Sequence, residues 1–392
     1  MGRLFWSGLL LGAGVLAQVT PPTHALWYVS LGVTEWGHWL LIPLLLVWWP
    51  GWQASGAGRV AACLAVVAAV LVLTPVWKAR SYARIVQSEV AKFAGAATVA
   101  SSPEMPARPG PLVLRDLVSG VPIPSVDWRT QPYVKRGERE LEMDVYTPPP
   151  AAPLVGGRER RPIVVVVHGG LADGPWQSGD RQEAVRFNQY LAGHGYAVLS
   201  IDYRLAGQAA YPAALEDVDA ALTVARSMGG GGLYDPSRIV LMGRGGGGHV
   251  ALMGAYTLGD ASIRGVIALY PPTDLAGWAQ TPGTRTLSDP VQWIRRFLNS
   301  GIEGTGAALY QAASPVTHAG RAVPTLLIHG ARDPIVPVTQ SDALATGLRS
   351  FQRSVLYLQL PWATHSCDIN PHGPCGQATL YAVERFLAQV TQ

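Results

Sequence analysis

Charge is what this 392-residue chain has least of: only 14% of its residues are Asp, Glu, Lys or Arg, and its mean hydropathy is positive, at +0.18. A chain bathed entirely in water carries roughly a quarter charged residues, so part of this one is expected to lie in lipid. A basic stripe is missing as well. The net charge is +4 and the basic residues are mostly scattered arginines, which argues against nucleic-acid binding.

Cysteine is scarce too. Of the three, Cys63 falls in an apolar run, while Cys367 and Cys375 stand close enough to close a short loop if that part of the chain is exported. Unpaired thiols in the cytosol are the alternative, and export is preferred. Metal-donor side chains gather in the run Cys367, Asp368, His372 and Cys375, but no His or Cys cluster has convincing ligand spacing. Neither a metal nor another cofactor is expected.

What is abundant is apolar. Hydrophobic residues make up 48%, enough for one large α/β domain and a smaller unit. Three apolar runs, at 4–19, 26–49 and 60–77, read as membrane-spanning helices. A signal peptide is the alternative for the first. Trp27, Trp36, Trp39, Trp48, Trp49, Trp52 and Trp77 crowd the span ends as interfacial belts do. Glu35 and His38 fall inside the second run, where an ionisable pair is a candidate functional site. Arg3 and Arg59 favour an inside N-terminus with the large domain outside; Lys78, Arg80, Arg84 and Lys92 favour the opposite. Residues 78–100 read as an amphipathic helix on the membrane surface, and the Pro-rich stretch 101–110 as a linker. The expected division is a membrane region at 1–77, helix and linker at 78–119, and a soluble domain at 120–392.

In the soluble part, 140–146 alternates as an edge strand would, and 163–167 is a β-branched run suited to burial on both sheet faces. Thereafter strands and helices alternate: helices at 187–194, 213–227, 250–256, 340–349 and 379–390, strands at 197–201, 239–242, 266–269, 325–328 and 355–360. That order predicts an α/β fold with a doubly wound, mostly parallel sheet whose site lies at the strands' carboxyl ends.

The stretch 235–251, DPSRIVLMGRGGGGHVA, reads as strand, tight glycine turn and helix start. This is the layout of a nucleophile elbow, GxSxG. Gly245 occupies the position where that motif has Ser. Ser178 and Ser237 lie off the elbow and do not replace it. Asp333 and His365 follow later strands in the order that such sites use. His168 and His249 read as loop-packing residues, and His329 as the end of a strand.

From about residue 120 onward the chain resembles the α/β-hydrolases of the esterase and lipase group, nearest the hormone-sensitive-lipase-like and feruloyl-esterase-like branch. The resemblance rests on VVVHGG at 165–170, WQSGD at 176–180, DYRL at 202–205, YPAALEDV at 211–218, DPSRIVLMG at 235–243, YPPTDL at 270–275 and HGARDPIVP at 329–337, in family order. It implies a triad in which Asp333 orients His365, with backbone N–H groups of Gly170, Leu171 and Gly246 as the oxyanion hole. It also implies that Gly245 removes the attacking oxygen. The insertion at 272–313 is expected to cap the pocket, with Trp278 and Trp293 as apolar walls. Two readings follow: a membrane-tethered carboxylic-ester hydrolase by descent, inactive or very weak in this form, or a non-catalytic protein binding an ester-like or lipid ligand in the old pocket. A peptidase of the same fold is the runner-up among enzymes. Small-molecule esters or lipids and the membrane are the expected partners, and the oligomeric state stays open.

Overall fold

A computed structural model describes residues 2–95, 108–150, 152, 154, 159–170, 180–280, 287, 289–301, 303 and 306–392. The N-terminal part contains helices α1 (Gly2–Leu16), α2 (His24–Trp36), the short α3 (Leu41–Leu45) and α4 (Gly56–Ala94). A single turn, α5 (Asp116–Ser119), leads to the strand pair β1 (Trp128–Arg136) and β2 (Arg139–Tyr146). Then come β3 (Arg161–Val167), α6 (Val185–Gly193), β4 (Ala197–Ile201), α7 (Ala213–Ser227), β5 (Tyr234–Arg244), α8 (Gly245–Thr257) and β6 (Ile263–Leu269). Three helices follow, α9 (Leu275–Gln280), α10 (Pro290–Leu298) and α11 (Gly306–Ala312), before β7 (Thr325–Gly330), α12 (Thr339–Ser350), β8 (Val355–Leu360) and α13 (Pro374–Val390).

Among the described residues, eight strands form one sheet in the order β1-β2-β4-β3-β5-β6-β7-β8, antiparallel over the first three and parallel thereafter. The β-branched run in β3 shows why. Val164 and Val166 face a core with α4, α6 and α13, whereas Ile163, Val165 and Val167 face one with α7, α8 and α12. A strand covered on both faces has no polar side to alternate with. The segment 140–146 was expected at the sheet edge, but β1 lies outside β2 and takes that place. Exposed residues such as Arg129 and Lys135 in β1 concealed it.

The N-terminal helices depart from three separate spans. The second run breaks after α2 at Gly37 into single turns around α3. The third run and the expected surface helix are one continuous helix, α4, which passes through Pro75. Its second half does not lie free: Ala79, Val86 and Val90 are buried in the main core, Tyr82 packs edge-on against Trp362, and Phe93 packs against Phe386. Its first half packs on α1, with Leu10 and Ala17 against Ala61, Ala65, Ala68 and Val72. Residues 101–107 of the expected linker lie outside the described residues. Arg108 is tied down, donating to Asp116 Oδ2 at 3.1 Å and Gln377 Oε1 at 2.8 Å.

Candidate active site

The turn from β5 to α8 is set by close backbone approach. Any Cβ on Gly247 would collide with the carbonyl oxygen of His168, so β3 and α8 meet here only through glycine. Gly245 is different. Its φ of +49° is the left-handed conformation of a sharp elbow, yet among the described residues a Cβ there would meet nothing nearer than His365 Nε2, at 3.6 Å.

His365 follows β8 and is buried, with Nδ1 held 2.6 Å from Asp333 Oδ2. Asp333 follows β7. Its Oδ1 accepts from the backbone N–H groups of Ile335 and Val336 at 2.8 and 2.9 Å, and His329 Nε2 lies 3.3 Å from its Oδ2. Burial alone raises this carboxyl, but the His365 and His329 rings together with the hydrogen bonds they make hold it down at about 2. Such a pair can accept a proton at Nε2 while the carboxylate steadies the other nitrogen. No side chain at residue 245 offers it an oxygen.

His365 is also enclosed from two sides. The Tyr270 ring lies 4.4 Å from it by centroids and the Trp27 indole 6.2 Å, edge-on. Tyr270 donates its hydroxyl to Asp368 Oδ1 at 2.6 Å, and Arg244 Nε donates to Asp368 Oδ2 at 2.6 Å. Burial works against the charge on Arg244, but Asp368, Tyr270 and Glu183 together outweigh it and raise the pKa. Cys367 and Cys375 are joined as a disulfide around the loop that carries Asp368. This corrects the metal alternative for that run: both sulfurs are bonded to each other, Asp368 pairs with Arg244, and His372 Nδ1 accepts from the Val121 N–H.

The glycine loop after β3 approaches the elbow closely. A Cβ on Gly246 would collide with the carbonyl oxygen of Gly170, whose own φ is +154°. Glu183 already accepts the Gly169 N–H at 2.6 Å, and Leu171 lies outside the described residues, as does Ser178. Ser237 sits at the far end of β5, donating to Asp235. His168 packs on Tyr203, and His249 is buried with Nδ1 3.1 Å from the Pro272 carbonyl oxygen. Only the donor tautomer satisfies that contact, since a carbonyl oxygen accepts.

Of the expected cap at 272–313, residues 281–286, 288, 302, 304 and 305 lie outside the described residues. Trp293 Cζ2 comes within 3.8 Å of the point where a Cβ on Gly246 would stand. Trp278 is fully buried behind it, ring centroids 5.5 Å apart, and is a packing residue. Beside the elbow lies a cavity of about 450 Å³ lined by Trp27, Tyr28, Leu31, Glu183, Arg186, Phe187, Arg244, Tyr270, Asp368 and Ile369 among others. Sequence reasoning missed Trp27, Arg244, Tyr270, His329 and Asp368. Tyr270 and His329 open the quoted motifs YPPTDL and HGARDPIVP, which was the available signal; Trp27 carried none, being one of many tryptophans near span ends.

Residues 143–348, just over half of the chain, match the family described as BD-FAE. The chain belongs to this family. The BD-FAE match ends before His365 and begins after the N-terminal helices. The chain is 30% identical over 248 residues to the esterase LipC of Mycobacterium tuberculosis, covering 58% of either protein. A structure of a puromycin-hydrolyzing peptidase from M. tuberculosis aligns at 25% identity with a TM-score of 0.53, over 68% of this chain and 39% of the peptidase. A bacterial heroin esterase shares the fold, with a TM-score of 0.55 at 22% identity over 68% of this chain and 85% of its own. The chain therefore spans only part of the length of LipC and of the peptidase. BD-FAE membership and the esterase relatives place it among the carboxylesterase- and lipase-like α/β-hydrolases.

Proposed function

We propose that this BD-FAE protein descends from a carboxylic-ester hydrolase and stands inactive or very weak because Gly245 occupies the nucleophile position. In this reading Asp333 orients His365, His365 is the base, and the N–H groups of Gly170, Leu171 and Gly246 form the oxyanion hole. The observation that carries it is the distance of 3.6 Å between His365 Nε2 and a Cβ built on Gly245, with the opposite ring nitrogen already held by Asp333. A serine Oγ there falls within reach of the base. Water beside His365 gives at most slow hydrolysis, since an oxyanion hole and binding retain roughly 10³ to 10⁴ over water when triad members are removed. The test is hydrolysis of p-nitrophenyl acetate and butyrate by this chain and by Gly245→Ser. Ester turnover that appears only with serine supports the reading, and its absence in a folded Gly245→Ser protein defeats it.

The second reading is a non-catalytic protein that binds an ester-like or lipid ligand. The cavity beside the elbow favours it, because ligand space persists where the attacking oxygen does not. Ordinary enzyme rates without serine would defeat it. The peptidase neighbour keeps amide substrates as the alternative within the enzyme reading.

Membrane attachment belongs to the same proposal. Two segments, His24–Trp48 and Gly56–Ala94, are long and apolar enough to cross a bilayer, which is weak support by itself. Exposed Phe5, Trp6 and Leu9 on α1 and Val60, Val66, Val67, Val70 and Trp77 on the first half of α4 add an outward apolar surface. At about 1.5 Å per residue α4 is about 58 Å long, roughly twice a hydrocarbon core, so one half can cross while the other packs on the sheet. The proposed division keeps a membrane region at 1–77, a connecting part at 78–119 and the hydrolase domain at 120–392. The disulfide favours an extracytoplasmic domain. Protease protection in intact cells tests that side.

A further inference from the structure

We infer that the cavity beside the elbow is a carboxylate-recognition site in which Arg244 grips the acid group of an apolar carboxylic acid. Arg244 is only 3% exposed and is one of the side chains lining the cavity. Its Nε is used by Asp368, and its guanidinium lies over the Phe187 ring, 4.9 Å from the centroid. That leaves Nη1 and Nη2 buried with no hydrogen-bond partner among the described residues. Buried cationic donors left unpaired are costly, and natural structures rarely keep them so without a water or ligand.

The chemistry of the missing group follows from the fork and from the walls. Two outer guanidinium nitrogens match the two oxygens of a planar carboxylate, which binds them in parallel. Nearer the mouth, Glu183 and Arg186 are both exposed and of opposite sign, and on the floor Asp368 offsets Arg244. Recognition here is therefore by directed hydrogen bonds, not by a long-range positive field. Trp27, Leu31, Phe187, Ile369 and Pro371 supply an apolar lining for the rest of the molecule. The site requires neither a serine at residue 245 nor ester cleavage, so it goes beyond the proposed activity and is tested apart from it.

The experiment titrates hexanoate and hexan-1-ol, two probes that differ in the acid group, into the full chain in lipid nanodiscs at pH 7. Binding is followed by calorimetry and by tryptophan fluorescence, with Trp27 in the cavity wall as reporter. Hexanoate is expected to bind about ten- to a hundredfold more tightly, the range of a charge-assisted hydrogen bond. Arg244→Gln is expected to remove that preference while leaving hexanol binding in place. Because that change strands the buried Asp368, the double variant Arg244→Gln/Asp368→Asn, in which the floor is neutral, is measured alongside. Equal affinities in the unsubstituted chain overturn the inference, and so does a preference for hexanoate that survives in the double variant. Loss of the preference in the folded double variant supports it. Ester turnover by Gly245→Ser is read separately, so either idea can fail while the other stands.

Discussion

Trp27 in α2 stands edge-on to His365, ring centroids 6.2 Å apart, although 338 positions of numbering separate them. The contact is backed by anchors at the end of α2 and in the turn after it. Asn370 Nδ2 donates to the Glu35 carbonyl at 3.1 Å, the Cys375 N–H donates to the Glu35 carboxylate at 3.2 Å, and His38 Nε2 meets the Leu117 carbonyl at 2.8 Å. Trp27 and Leu31 share one apolar cluster with Trp278, Trp293 and Phe297. The N-terminal segment thus forms a wall of the site, and Glu35 and His38 face protein.

A chain truncated to begin at Gly120 loses that wall together with Ala79, Val86 and Val90 of the main core. It is expected to aggregate or to unfold at a midpoint many degrees lower than the full chain, because a large apolar surface is left open. Light scattering with thermal unfolding checks this. A truncated chain as stable as the parent would show that the hydrolase domain is independent.

Gly245→Ser is expected to raise hydrolysis of p-nitrophenyl butyrate by about 10³-fold or more. The same change places a side chain at φ +49°, so stability should fall by about 1–3 kcal/mol. Gain of turnover with loss of stability is the signature. His365→Ala in the serine background should return activity to the level of the parent.

In that background, Asp333→Asn should lower kcat by about 10⁴, because the ring loses the acceptor that fixes its tautomer. Acid acts through the same carboxylate. Its folded pKa of about 2 lies below the ordinary 3.8, so its contribution to stability is complete above 3.8 and disappears as pH falls towards 2. Denaturant unfolding between pH 5 and pH 2 should show this loss, about 2 kcal/mol, and Asp333→Asn should flatten that window.

His249 makes a separate pH prediction. Burial lowers its pKa from 6.5 to about 4, with the Pro272 carbonyl opposing only in part, and its ring packs on Trp293 and Phe297. The unfolded chain takes a proton first, so the contribution is full above 6.5 and is lost as pH falls towards 4. The size is on the order of 3 kcal/mol. His249→Gln should remove the slope between pH 6.5 and pH 4 in denaturant titrations, and an unchanged slope would assign it elsewhere.

Gly247→Ala should cost several kcal/mol, as overpacking against backbone that has no room to yield. Trp278→Ala should cost about 3–5 kcal/mol as a fully buried aromatic. Thermal unfolding measures both, and for Trp278 binding of ligand in the cavity is expected to remain.

The hydrolase core was legible because its signals are local. A β-branched run such as 163–167 declares a strand buried on both faces, and 213–227 shows helical periodicity without help from neighbours; β3 and α7 lie there. The spacing of Asp333 and His365 after successive strands placed them at one sheet edge, and they meet there. β1 was not legible: its side chains are mostly exposed, so no apolar alternation marks it. The N-terminal runs were legible as apolar but not as packed, since hydropathy is the same against lipid and against a protein core.

Sequence alone determined the family's sheet, the glycine turn between β5 and α8, and the chain order of Asp333 and His365, because each depends on short-range patterns or chain order. Tertiary structure decided what surrounds them. That Trp27 stands against His365, that Arg244 lines a cavity with two nitrogens unpaired among the described residues, and that α4 divides between α1 and the sheet all depend on contacts between distant segments. No pattern within a single element encodes which surface will cover its apolar face; only the packing of the whole chain settles that.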